Sequence, residues 1–239
     1  MSDTNGTTAL AMATPARENA WTGHGHIVAA PRTIGATQRG FLVLADISGF
    51  TAFVTATEIE HGPPIIAALL EEVIRRIAPP LEVQDIEGDA VFALGAHGRL
   101  VPPASLLEVL RGAFLGFRTL QREMQADESC SCYACRNVSR LRLKLIGHYG
   151  TFLHQTVGGH LQAAGRDVIL AHRLLKNRVP RIADYILITE PALRSMDVDA
   201  EAAGLIPHQE RYEHFGTVDC FVGDPARLTA VAISRAISR

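Results

Sequence analysis

The sequence predicts an α+β fold, a sandwich in which one mixed, mainly antiparallel sheet is covered by helices. Three observations carry this. Strand-like and helix-like stretches alternate without regular βαβ repetition. Gly88-Asp89 separates two short apolar runs, the pattern of a hairpin and so of antiparallel neighbours. Two amphipathic helices, over Ile65 to Ile77 and Leu106 to Met124, can cover such a sheet.

In chain order, residues 1–38 are rich in Thr, Ala, Gly and Asn without periodicity and read as a flexible tail. Residues 41–46, FLVLAD, form a buried strand by their aliphatic density and the glycine that follows. Phe50 to Glu58 extends as a helix. Apolar residues at 65, 66, 69, 70, 73, 74 and 77 mark one helical face, and Pro79-Pro80 ends it. Leu81 to Glu87 and Ala90 to Leu94 are the hairpin strands. Leu141, Leu143 and Leu145 alternate with Arg142 and Lys144, which predicts a half-buried strand, with Phe152 to Val157 as its partner. A helix over Asp167 to Leu175, a strand over Tyr185 to Ile188, a helix near Pro191 and a last strand over Val218 to Val222 follow. The body spans 39–225 with a cysteine-rich insert at 128–138, and residues 226–239 form a closing helix.

Composition excludes some functions. The 239 residues are 47% hydrophobic and 20% charged, as in soluble globular proteins. A net charge of -2 gives no bulk attraction to nucleic acid or an anionic membrane. No apolar run approaches the roughly 20 residues that cross a bilayer, and no basic segment followed by an apolar core marks a secretory signal. The expected location is the cytoplasm, with reduced thiols.

Asp46 and Asp89 each stand at a predicted strand end beside glycine. A buried carboxylate is costly unless it meets a basic side chain, a helix N-terminus or a metal ion. Two of them brought together repel, and one takes up a proton unless a cation separates them. Mg²⁺ binds through one or two carboxylates plus substrate phosphates, so the pair permits a phosphate-handling metal site. Turn or capping aspartates are the alternative.

FLVLADISGFTAF (41–53) together with DIEGDAVFAL (85–94) resembles the class III adenylate/guanylate cyclase catalytic domain. There a strand ends in Asp-Ile-x-Gly-Phe-Thr and a hairpin carries Gly-Asp. AAGRDVILAHRLL (163–175) resembles the family's Gly-x-x-Val-Asn-x-Ala-x-Arg segment, and YILIT and a Phe-Gly turn before VDCFV follow in order. A closer resemblance is to a bacterial branch of this superfamily, the DUF2652 group, which also carries a cysteine cluster. The resemblance implies a ferredoxin-like, cyclase-type sandwich working as a homodimer. It implies that Asp46, Asp89 and Ile47 hold Mg²⁺ or Mn²⁺, and that Ser48, Gly49, Phe50 and Thr51 cradle the phosphates of ATP or GTP. Asp85 and Gln162 stand where the purine is read, and Arg173 where an arginine stabilises the transition state.

The chain departs from that pattern. Asp85 replaces a purine-reading lysine, and Glu87 adds a second negative charge on the same side. Ile169 replaces the ribose-orienting asparagine, and Phe215 a phosphate-binding lysine. The metal half of the site is kept and the other half is thinned. This implies a divergent catalyst or a domain with a degenerate catalytic site; a non-catalytic dimeric module that senses metal or redox state is the rival reading.

Cys130, Cys132 and Cys135 give a C-x-C-x₂-C spacing that suits a soft cation such as Zn²⁺. Cys220, His148 and His154 are the candidates for a fourth ligand. A redox switch among neighbouring thiols is a second reading, and three reduced thiols on a loop, with Cys220 buried in a strand, a third.

Overall fold

The computed structural model describes residues 35–127, 130–180 and 184–228. Its elements are β1 (Gln38–Ser48), α1 (Phe50–Thr55), α2 (Gly62–Ile77), β2 (Glu82–Glu87), β3 (Ala90–Ala96), α3 (Ser105–Ala126), α4 (Tyr133–Asn137), a 3-10 turn (Val138–Arg140), β4 (Arg142–Val157), β5 (His160–Ala164), α5 (Arg166–Leu174), β6 (Tyr185–Thr189), α6 (Glu190–Met196), β7 (Ile206–Tyr212) and β8 (Gly216–Gly223). The strands form one sheet in the order β2-β3-β1-β4-β6-β8-β7, with β5 paired to the far end of β4. β4 and β6 run parallel, and the other described pairs are antiparallel. The expected mixed, mainly antiparallel sheet with helices is therefore present.

β1 is apolar on both faces because both are covered. Phe41, Val43, Ala45 and Ile47 share a core with Leu69 and Val73 of α2 and Leu110 and Phe117 of α3. Leu42 and Leu44 turn the other way, into a second core with Leu170, Ala171 and Leu174 of α5. Alternation places Asp46 on that second face, at the end of the strand.

The structure corrects the reading of β4. The two short strands expected at 141–145 and 152–157 are one strand of 16 residues, and the partner of its far half is β5. Nor is its polar face solvated. Leu143 and Leu145 belong to the first core, while Ile146 joins the α5 side. Lys144 and His148, also on that side by alternation, are buried. The sequence pattern shows amphipathic alternation but not the helix that lies over the polar positions.

A buried amide fastens α3 to the start of β4. Gln121 Nε2 donates to the carbonyls of Val138 (2.8 Å) and Leu141 (3.2 Å), and its Oε1 accepts from Arg118 (2.7 Å). Arg118 also pairs with Asp184, whose other oxygen accepts from the Leu143 N–H at 2.7 Å.

The N-terminal tail lies outside the described residues up to position 34, and β1 begins at Gln38. The closing helix expected over 226–239 lies outside them from position 229 onward; Ala226 and Arg227 are part of a turn. No helix among the described residues is long and apolar enough to cross a membrane.

Candidate functional site

β1 and β3 pair Asp46 opposite Ala90, and the Ile47 N–H donates to the Asp89 carbonyl at 3.0 Å. The two acids thus sit at the same end of adjacent strands. Burial and the Asp46 charge raise the pKa of Asp89, opposed by its own backbone N–H and by Lys144. The charge that faces Asp46 is the Lys144 ammonium: Nζ lies 2.5 Å from Oδ2 and also reaches the Leu175 carbonyl at 3.4 Å. Of the partners weighed for a buried carboxylate, a basic side chain is in place. Lys144 was legible in the sequence only as one member of an alternating strand.

The turn that follows is built for close approach. Gly49 adopts φ 92°, a left-handed conformation that glycine enters without steric cost, and it caps α1, a helix of six residues. Ser48 is half-buried, Ile47 is buried, and Gly49 and Thr51 are exposed.

On the α5 side of the sheet Asp85 and Gln162 come together. They line one cleft of about 360 Å³ with Glu87, Phe92, His160 and His172. The His172 ring packs on Phe92 at 4.9 Å. Arg173 and Ile169, one turn apart on α5, are both exposed. Phe215, at the turn between β7 and β8, lies under the Arg166 guanidinium, 5.0 Å from ring centre to Cζ.

A second cleft, of about 400 Å³, opens over His148, Asp167, Arg166, Phe215 and Asp219. Sequence reasoning missed Asp167. Its Oδ2 accepts from the Thr151 N–H (2.6 Å) and hydroxyl (3.1 Å). Gly150 leaves the room for this, since a Cβ there would stand 2.4 Å from Oδ2. His148 Nε2 is 3.7 Å from Oδ1, a gap longer than a hydrogen bond. His148, partly desolvated surroundings that work against it, and Thr151 together hold the Asp167 carboxyl at about 2. Its folded pKa lies below the ordinary 3.8, so its stabilisation is complete above that value and fades as pH falls toward about 2. Asp167→Asn is expected to cost roughly 1–2 kcal/mol at neutral pH, with the gap to wild type closing toward about pH 2. Urea unfolding midpoints of both proteins across that range check it.

The cysteine segment meets a residue that sequence reasoning did not single out. His61, at the start of α2, Cys130, Cys132 and Cys135 form one group whose ligand atoms all lie within 4.8 Å of one another. His61 Nδ1 is 3.0 Å from Cys132 Sγ, 3.4 Å from Cys130 Sγ and 3.8 Å from Cys135 Sγ. The Cys135 N–H donates to Cys132 Sγ at 3.4 Å, which, with His61, holds the Cys132 thiol down at about 6. Burial and the other two sulfurs push Cys135 up to about 12. This donor set can hold a metal ion.

The three candidates for a fourth ligand are elsewhere. Cys220 is buried in β8 among the apolar residues of the α5 side, where burial pushes its thiol up to about 12. His148 Nδ1 bonds Thr189 Oγ1 at 2.8 Å inside the sheet. His154 Nε2 bonds Gln84 Oε1 at 2.9 Å. Strand pairing commits all three, whereas His61 sits on a turn that only the fold carries to the cysteines.

The family described as "Protein of unknown function (DUF2652)" matches residues 66–185, half of the chain. The chain belongs to the DUF2652 family. This DUF2652 chain is 34% identical over 134 residues to the "Uncharacterized protein Rv2561/Rv2562" of Mycobacterium tuberculosis (strain ATCC 25618 / H37Rv). The match takes in 55% of the chain and spans 60% of that relative's length. Among solved structures, the adenylyl cyclase CyaB from P. aeruginosa superposes with TM-score 0.60 at 16% identity, over 79% of this chain and 96% of that one. The guanylyl cyclase Cya2 superposes with TM-score 0.59 at 13% identity, over 82% and 98%. The guanylate cyclase domain of RhGC from Catenaria anguillulae, solved with GTP, gives TM-score 0.55 at 12% identity, over 78% and 97%. At these identities the likeness is one of fold: the DUF2652 chain has the architecture of class III cyclase domains.

Proposed function

We propose that this chain is a nucleotidyl cyclase-like domain that binds a divalent cation and a purine nucleoside triphosphate, with a degenerate catalytic half, so that its output is binding rather than turnover. The observation that carries this is the convergence of Asp46 and Asp89 at one sheet end with Lys144 against them. Two carboxylates and one ammonium leave a net negative charge, which Mg²⁺ or Mn²⁺ at Asp46, Asp89 and the Ile47 backbone turns positive toward a triphosphate. The turn from Ser48 to Thr51 borders that position, and the cleft of Asp85 and Gln162 offers a carboxylate and an amide to a purine edge. Against turnover stand Ile169, which offers no hydrogen bond to a ribose, and Phe215, which carries no charge to a phosphate. Each missing polar stabiliser costs on the order of 10²–10³ in rate. Arg173 remains exposed on α5 as the one group of the transition-state set.

A homodimer completes this reading. Leu161 lines the cleft and is 62% exposed, and Ile86 and Ile169 flank lining residues at 51% and 54%. Such apolar positions around a polar cleft suit a second copy of the chain.

The test is ATP and GTP with Mn²⁺, read both by equilibrium binding and by cyclic product. The expected result is binding that Asp46→Ala abolishes, with product at background. Product formation that Asp46→Ala removes would overturn the degenerate half, and absence of any nucleotide binding would overturn the whole reading. That last outcome, with metal still present at the cysteines, would favour the non-catalytic metal- or redox-sensing module, which the His61 and cysteine group independently supports.

A further inference from the structure

Three sulfurs converge on one ring nitrogen, His61 Nδ1, at 3.0, 3.4 and 3.8 Å. A neutral imidazole nitrogen has one proton or one lone pair, directed along one line in the ring plane, so hydrogen bonding accounts for one of these approaches and not for three. A tetrahedral ion accounts for all of them. With metal–nitrogen bonds of about 2.0 Å and metal–sulfur bonds of about 2.3 Å, a nitrogen and a sulfur on adjacent corners stand about 3.5 Å apart. The three observed separations bracket that value.

We propose that His61, Cys130, Cys132 and Cys135 form a closed four-coordinate site for Zn²⁺, and that the ion fastens the α1–α2 turn to the connection between α3 and β4. The ligand chemistry selects the ion. Three thiolates and an imidazole suit zinc, and offer nothing to Mg²⁺ or Ca²⁺, which take oxygen. Four protein ligands leave no open position for a substrate, which marks a structural ion. This site is separate from Asp46 and Asp89 and stands or falls independently of nucleotide binding.

The two sides joined by the ion differ in how well the fold holds them. On one side Ala134 and Val138 are fully buried, and Cys132 packs against the main core. On the other, Ala56, Glu58, Ile59 and Glu60 are exposed, Ile59 at 77%, and α1 is a helix of six residues, too short to persist without tertiary support. The cysteine side is therefore the anchor and the turn ending in His61 is what the ion secures. The same connection backs the Ser48–Gly49 turn: a Cβ at Gly49 would stand 3.8 Å from the Leu141 side chain and 3.9 Å from the Arg140 carbonyl.

The experiment uses the full chain purified under reducing conditions without a polyhistidine tag. Elemental analysis is expected to find one zinc per chain, and a thiol reagent to find Cys130, Cys132 and Cys135 protected until a chelator is added. Cys132→Ser and His61→Phe should lose zinc affinity by at least the roughly tenfold that even outer partners of a metal site are worth. His61→Cys should retain the ion, as should Cys220→Ala. Chelation should speed amide exchange in residues 50–61 and leave β6 unchanged. Zinc content that survives both Cys132→Ser and His61→Phe, or wild-type thiols that stay reactive after zinc is supplied, overturns the proposal. For a variant that fails to fold, the chelator and exchange measurements on wild type decide the matter alone.

Discussion

Replacing Lys144 with methionine is expected to cost roughly 3–5 kcal/mol of stability at neutral pH, the usual size for breaking a buried ion pair from one side. Methionine matches the aliphatic stem in volume, so the loss reports charge rather than packing. Without the ammonium, nothing offsets the repulsion of the Asp46 charge on Asp89, whose ionisation burial already disfavours. Mn²⁺ should restore part of the loss in Lys144→Met and stabilise wild type less, because in wild type the Lys144 ammonium already offsets part of the negative charge that the ion would meet. Urea unfolding with and without Mn²⁺ measures both effects. A variant as stable as wild type would refute the pairing, and a variant that Mn²⁺ does not rescue would refute the two acids as cation ligands.

Phe117→Ala should cost a comparable ~3–5 kcal/mol by a different route. Phe117 is fully buried on the inner face of α3, within the core that backs β1. Truncation removes apolar contact and leaves a cavity that neighbouring leucines fill only in part. For a chain of this size each kcal/mol moves the melting temperature by about 2–4 °C, so a fall of roughly 6–20 °C is expected. No cation should reverse it, and this separates a packing loss from the charge effect at Lys144. A fall of a degree or two would show that α3 is not the lid of the core.

What could be read in advance follows from how local each signal is. The stripe at 65–77 and the continuous apolar run of β1 are encoded within a few neighbours, and both elements are present. β5 and β7 were not readable, because HLQAA and IPHQERY carry no apolar alternation and owe their conformation to pairing with β4 and β8. The same holds for the sites. Glycines beside Asp46 and Asp89 mark strand ends that meet, and this is local information. Lys144 depends on α5 covering the far face of β4, and His61 lies 69 residues before Cys130, so neither partnership leaves a trace in its own neighbourhood.

The pairing of β1 with β4 has a kinetic consequence. Residues 38–48 wait for residues 142–152, about a hundred positions later, before the middle of the sheet can close. Loops of that size delay closure, so refolding belongs to the slow range of non-local topologies, milliseconds to seconds. On the ribosome, the first hairpin and its helices emerge with an apolar strand edge open until β4 is made, and in that interval the nascent chain is most in need of a chaperone.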